Sequence, residues 1–171
     1  MDNKWVNAFY ADYTFEVDFF LSGNEETIIQ SLKNIYIQQA AINTSMEKLK
    51  VLDTETGGRE ALRLADEVAG KGWFSLLLVE QLSYQSYIPT YIIEAICFVS
   101  QLNENHLRKI IKHRAEEGLF IDEKLSELYT FLSDEPEEDY SFTEIVNYFY
   151  DLNKNDQFFQ LYNVYTQYME N

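Results

Sequence analysis

Apolar residues recur at helical spacing along most of this chain, which restricts the folds open to it. The clearest stripe predicts a helix over about residues 25–40, and it consists of Ile28, Ile29, Leu32, Ile35 and Tyr36. Similar stripes predict helices after Gly58, at Lys71, after Pro89 and around Leu107. Ser141 and Glu144 form a capping box that predicts the start of another helix. We therefore expect a mainly α-helical protein.

One segment near the N-terminus breaks this pattern. Residues 13–19 alternate in period two and are rich in aromatic and β-branched side chains, which is typical of a half-buried strand. Ser22 and Glu25 after it have the form of a capping box for the next helix. The predicted fold class is therefore mainly α with a short β segment, an α+β protein.

Charge divides the chain near Arg114. Residues 1–114 contain 15 acidic and 11 basic side chains, whereas residues 115–171 contain 14 acidic and 2 basic ones. The last third also holds 13 of the 27 aromatic residues, so we predict that residues 115–171 fold as an acidic, aromatic-rich helical extension, interrupted by a solvated linker at 133–139. A formal net charge of −16 disfavours unaided binding to a phosphate backbone.

Most catalytic and metal-binding classes lack their signatures here. The single cysteine, Cys97, cannot form an internal disulfide, and His106 and His113 are too far apart on one predicted helix for a paired zinc site. The sequence contains no phosphate-binding glycine loop and no Gly-x-Ser-x-Gly motif. No apolar stretch approaches the roughly 20 residues that cross a bilayer, and the first residues lack a signal-peptide pattern. We expect a cytoplasmic protein with no membrane partner.

Three side chains remain as candidates for chemistry. In a strand, Glu16 and Asp18 would point to the same side, where two carboxylates can hold a divalent cation such as Mg²⁺. Lys71 stands between Gly70 and Gly72 at a predicted helix N-terminus, where a phosphate group is favoured. The alternative interpretation is a strand that exposes its acids to solvent and a simple glycine-containing turn.

Three segments, in this order, resemble the C-terminal part of the OLD family of ATP-dependent endonucleases, which includes the Gabija nuclease. They are residues 14–20 (Thr-Phe-Glu-Val-Asp-Phe-Phe), residues 71–74 (Lys-Gly-Trp-Phe) and the proline-led residues 88–96. The resemblance covers about residues 5–99 and implies that residues 1–114 correspond to the C-terminal region of a TOPRIM nuclease domain. It further implies that Glu16, and less directly Asp18, bind the metal and that Lys71 lies near the scissile phosphate.

The chain departs from the family pattern in the parts that hold most of the metal. It has no Asp-x-Asp in an apolar strand context, no matching early glutamate and no ATPase loop. The resemblance therefore implies a split or truncated subunit of an anti-phage endonuclease complex, inactive alone. It would use Mg²⁺ and reach DNA only with a partner that supplies the ATPase and the missing acids.

Two other interpretations stay open. The chain could be an acidic, non-catalytic binding or inhibitor protein that acts as a nuclease decoy or a DNA mimic toward a basic DNA-binding protein. It could also be a small helical structural protein whose matches to the family are accidental.

Overall fold

The computed structural model describes residues 6–83, 86–116, 128, 132 and 140–169. The chain divides into two compact units, Met1–Ala95 and Ile96–Asn171. The described part of the chain is mostly helical, and none of its segments forms a β-strand. The position at which the charge changes, Arg114, lies inside a helix of the second unit.

The helices of the first unit are short and closely spaced. They are α1 (Phe15–Leu21), α2 (Glu25–Ile35), α3 (Gln39–Leu49), α4 (Arg59–Arg63) and α5 (Lys71–Val79), followed by the start of α6 (Thr90–Ser100). Two π-helical turns, Thr54–Gly58 and Leu64–Val68, lie on either side of α4. Ten buried side chains form the core: Phe19, Phe20, Ile28, Leu32, Leu49, Ala61, Leu64, Ala65, Phe74 and Leu78.

The predicted strand is wrong, because residues 15–21 form helix α1. Val17 and Phe20 are buried three positions apart, and the rings of Phe15 and Phe19 stack four positions apart with centroids 5.7 Å from each other. Both spacings bring side chains to one side of a helix. Seven residues are too few for their alternation to distinguish a strand from a helix, so the α+β fold class is corrected to a mostly helical one.

The start of α2 also differs from its prediction. Asn24, not Ser22, precedes the helix, and its side chain makes no capping bond to α2. It donates instead to the carbonyl oxygens of Phe19 and Tyr87, both at 2.8 Å, and accepts from the Tyr87 N–H at 2.8 Å. Because Asn24 is buried, these bonds tie residue 87 to the α1–α2 connection.

Residues 43–56 are polar, and the sequence predicts a flexible connector there, but helix α3 occupies the first half of that stretch. Its stripe is weak because one buried position is Ser45, whose hydroxyl donates to Glu60 at 2.6 Å. Glu60 also accepts from the Lys48 ammonium at 3.1 Å and from Arg63 Nε at 2.9 Å. Arg63 Nη2 in turn donates to the hydroxyl of Tyr36 at 2.7 Å. The buried carboxylate of Glu60 thus joins α3 to α4, and Arg63 extends the network to Tyr36 at the end of α2.

This carboxylate makes the stability of the first unit dependent on pH. Burial raises the pKa of Glu60, but the bonds from Arg63, Ser45 and Lys48 outweigh that effect and lower the pKa from 4.5 to about 2. The stabilisation is complete above the unfolded-state pKa and is lost as the pH falls toward 2. Because Lys48 and Arg63 are partly exposed to water, which weakens their attraction to Glu60, this stabilisation amounts to about 2 kcal/mol.

Urea unfolding of the wild type and of Glu60→Gln tests this dependence. The wild type is expected to have the higher free energy of unfolding at about pH 5, and the difference between the two proteins is expected to shrink by about 2 kcal/mol as the pH is lowered to about 2. A constant difference would contradict the expectation.

The second unit contains the end of α6 and helices α7 (Glu104–Glu116), α8 (Phe142–Leu152) and α9 (Phe158–Met169). The predicted capping box is confirmed: Ser141 accepts from the Glu144 N–H, and the Glu144 side chain accepts from the Ser141 N–H. The Ser141 hydroxyl and N–H lower the pKa of Glu144. The core combines aliphatic residues of α7 with aliphatic and aromatic residues of α8 and α9, among them Leu107, Ile111, Ile145, Phe149 and Phe158.

The predicted acidic linker at 133–139 lies outside the described residues. Within the described ranges, each helix is too short or too polar to cross a lipid bilayer.

Candidate functional site

Glu16 and Lys71 lie close together in the first unit, although they are far apart in the sequence. Glu16 is in the first turn of α1, and Lys71 is the first residue of α5. The Lys71 ammonium lies 4.0 Å from Glu16 Oε1 and 3.3 Å from Asp66 Oδ1. The Glu16 side chain is only 11% exposed, whereas that of Lys71 is 59% exposed. The cluster therefore has a buried carboxylate on one side and an accessible ammonium on the other.

The backbone before α5 determines where Lys71 lies. The π-helical turn Leu64–Val68 carries Asp66, and Gly70 follows it with φ +81°. That angle lies in the left-handed region, which costs glycine little and other residues more. Helix α5 begins directly after Gly70, at Lys71, and buries Phe74, Leu77 and Leu78. The conformation of Gly70 thus lets Asp66, which precedes it, and Lys71, which follows it, belong to the same cluster.

Asp18 has a different environment from Glu16. Its carboxylate accepts the Tyr13 N–H at 3.2 Å and 3.3 Å, which holds the chain entering α1. In a helix, residues two positions apart point about 200° away from each other, unlike residues two apart in a strand. Helix α1 therefore does not present Glu16 and Asp18 side by side.

Two nearby residues, Asp66 and Tyr91, are not predicted from the sequence as parts of the site. Tyr91 lies in the first turn of α6, and burial together with the negative charges of Asp18 and Glu16 raises the pKa of its hydroxyl. It consequently stays protonated at neutral pH beside the two carboxylates. The sequence indicates Asp66 only through its position five residues before Lys71. It indicates Tyr91 only through its position shortly after Pro89.

The described residues do not by themselves fit a magnesium site. Mg²⁺ prefers six oxygen ligands in octahedral geometry. The structure offers two carboxylates here, Glu16 and Asp66, with the ammonium of Lys71 in contact with both. Among the described residues, no group of three or more His, Cys, Asp or Glu side chains could hold a metal ion. The cluster can present an ammonium to an external anion, and a metal would need further acids.

An exposed apolar surface begins next to this cluster. The sequence predicts that α5 is buried on most sides, but only Phe74, Leu77 and Leu78 are buried. Trp73, Leu76 and Val79, which we call the α5 apolar face, are each more than half exposed. Such a face is typical of a surface that another protein covers.

Comparison with protein-family models, with curated proteins and with solved structures finds no match to this chain. The resemblance to the OLD endonucleases therefore stays a prediction, and the interpretation of the cluster depends on its geometry.

Proposed function

We propose that this chain is a subunit of an OLD-like DNA endonuclease complex and contributes Glu16 and Lys71 to a nuclease site that a partner completes. The observation that supports the proposal is the 4.0 Å approach of Lys71 to Glu16. The resemblance singles out these two residues for one site, and the structure brings them together from two separate helices. The neighbouring Asp66 adds a second contact that orients the lysine.

The geometry suggests different roles for the two side chains. Lys71 is more than half exposed, so its ammonium can contact an oxygen of the scissile phosphodiester. Glu16 is largely buried and would both orient Lys71 and offer one carboxylate to a composite Mg²⁺ site. The remaining carboxylates would come from the partner, which explains why the chain alone should not cut DNA.

The α5 apolar face supports a partner that binds α5. Trp73 and Leu76 lie on the helix that begins at Lys71 but point to a different side of it, so a partner that covers them would have to extend around α5 to reach Lys71 and Glu16. Burial of exposed apolar surface of this kind stabilises association by about 25 cal/mol per Å² of area removed from water. A contact that extends around α5 would bring together the partner's acids and the two residues of this chain.

A nicking assay on the assembled complex tests the proposal. The tagged chain is purified from its host with bound proteins, and the complex is incubated with supercoiled plasmid and Mg²⁺. Glu16→Gln and Lys71→Met are each expected to lower the nicking rate by about 100-fold, because each removes a charge at the reacting group. Association, followed by size-exclusion chromatography, is expected to be unchanged. The chain alone is expected to leave the plasmid intact.

Matched controls separate catalysis from general changes of charge. Glu55, which is paired with Arg59 on the surface, and Lys33, on the exposed side of α2, are changed to Gln and Met respectively. Both control complexes should cut at the wild-type rate. If Glu16→Gln and Lys71→Met also cut normally, the assignment of these residues to the nuclease site is wrong.

The acidic inhibitor is the second candidate, and the net charge of −16 favours it. A DNA mimic would be recovered with an already complete nuclease and would lower the activity of that enzyme. Its binding would weaken as salt is raised, because charge attraction between the two surfaces is screened. Recovery of a partner that already holds a full set of metal-binding acids would therefore favour inhibition over a composite site.

A further inference from the structure

A second polar site lies in the first unit, in a cleft between the end of α2, the middle of α3 and α4. The cleft has a volume of about 600 Å³. Its polar side chains include Tyr36, Ser45, Lys48 and Arg63, and two alanines of α3 form an apolar part of the wall. None of these residues belongs to the Glu16–Lys71 cluster.

The cations of this cleft are held in position by the buried carboxylate of Glu60. Arg63 donates to it from Nε at 2.9 Å and from a second nitrogen, and the Lys48 ammonium donates at 3.1 Å. Arg63 is further held by the hydroxyl of Tyr36 at 2.7 Å. One negative charge thus faces two positive charges, which leaves a local surplus of one positive charge in a strongly acidic chain.

The remaining donors suit a phosphate better than a carboxylate. Arginine binds a carboxylate best when two of its nitrogens each donate a hydrogen bond to it. In Arg63, Glu60 already occupies such a pair, formed by Nε and Nη2. Within the described ranges, Arg63 Nη1 makes no hydrogen bond, and the Lys48 ammonium bonds only to Glu60. A tetrahedral phosphate has several acceptor oxygens, so donors that come singly from different side chains, such as these two, can each bind a separate oxygen.

We propose that this cleft binds the phosphate group of a small molecule. Lys48 and Arg63 Nη1 bind the phosphate oxygens, and the ring of Tyr36 with the neighbouring alanines accommodates the apolar part of the ligand. The Glu60 network keeps the arginine oriented before binding, so less conformational entropy is lost when the ligand arrives. This site is independent of the proposed nuclease function, and either can fail without the other.

Titrations of the whole chain followed by NMR test this inference. Inorganic phosphate and adenosine 5′-monophosphate are the two probes, each added at constant ionic strength. We expect saturable shifts of the backbone amides of residues 40–48 and of the Arg63 Nε–H signal. Lys48→Gln is expected to weaken binding about tenfold, because it removes one charge-assisted hydrogen bond, whereas Lys48→Arg should restore most of the affinity. Lys48 is the residue to change because it is 45% exposed, so the variant is expected to fold.

Lys33→Gln is the matched control, since it removes the same charge from the exposed side of α2 and should bind both probes like the wild type. Unchanged far-UV circular dichroism of each variant confirms that the fold is intact. The inference is overturned if neither probe shifts these signals saturably, or if Lys48→Gln binds as tightly as the wild type. Shifts caused by a short DNA duplex but by neither small probe would also overturn it.

Discussion

Replacing Asp156 by alanine is expected to lower the free energy of unfolding of the second unit by about 4 kcal/mol. Asp156 lies between α8 and α9, and its carboxylate makes two different contacts. It pairs with Arg114 of α7, with distances of 2.5 Å to Nε and 2.9 Å to the second nitrogen. It also accepts the buried Phe158 N–H at 2.8 Å, which caps the start of α9.

The size of the effect follows from burial. The side chains of Asp156 and Arg114 are 2% and 14% exposed, so water replaces the lost carboxylate poorly. Removing one member of a buried ion pair costs about 3–5 kcal/mol, and losing a helix cap costs about 1 kcal/mol. Asp156→Asn separates the two contributions. Its amide oxygen can still accept from Phe158 while the charge is lost, so this variant should be the less destabilised one.

Urea unfolding followed by far-UV circular dichroism measures both variants, and hydrogen exchange of α7 and α9 assigns the change to the second unit. Asp151→Ala is the matched control, because this acid is exposed in the last turn of α8, where a negative charge is unfavourable. It should leave stability unchanged or slightly higher. If Asp156→Ala unfolds at the wild-type urea concentration, the Arg114 contact does not contribute to stability as its burial implies.

The turn that contains Asp156 was predictable, and its ion pair was not. The polar residues of 151–158 predict a turn between two helices, and the structure has one at 153–157. The partner of Asp156 lies more than forty residues earlier in the chain, and periodicity contains no information about such a contact. The same holds for Glu60, whose burial among Ser45, Lys48 and Arg63 depends on how three helices pack.

The sequence-based errors in the first unit have related causes. The alternation of residues 13–19 favours a strand because a local pattern does not include the core that Phe19 and Phe20 join. The sequence does not predict helix α3, because Ser45 interrupts its apolar stripe with a buried polar contact. It predicts that helix α5 is buried, because an apolar face that is exposed has the same sequence pattern as one that is buried.

The candidate site was partly predictable. Glu16 and Lys71 were named from short motifs, but their distance from each other depends on the π-helical turn and on Gly70, which no periodicity indicates. Asp66 and Tyr91 join the cluster through the same packing. Local patterns could therefore suggest which residues matter, whereas the neighbours that tune their charge follow from tertiary structure alone.

A single methyl group at Gly57 is expected to destabilise the first unit by about 3 kcal/mol, the upper end of the usual cost of overpacking. Gly57 is buried in the π-helical turn Thr54–Gly58. A Cβ atom there would lie 2.7 Å from Phe20 Cε1 and closer still to Phe20 Cζ and the carbonyl oxygen of Val51. Phe20 is fully buried, and the Val51 oxygen already accepts the Asp53 N–H at 2.8 Å, so neither can move aside without breaking other contacts.

Gly72→Ala is the matched control, and the opposite sign is expected. Gly72 is the second residue of α5, and a Cβ atom there meets nothing within 4 Å. Alanine in an exposed helical position gains about 0.5–1 kcal/mol over glycine. The sequence has no tryptophan after Trp73, so urea unfolding followed by tryptophan fluorescence reports on the first unit for both variants. Because Phe20 is on the helix that carries Glu16, Gly57→Ala should also disturb the approach of Glu16 to Lys71. Equal stability of the two variants would mean that the turn relaxes around the added methyl group, and that the position of α1 does not depend on close packing at Gly57.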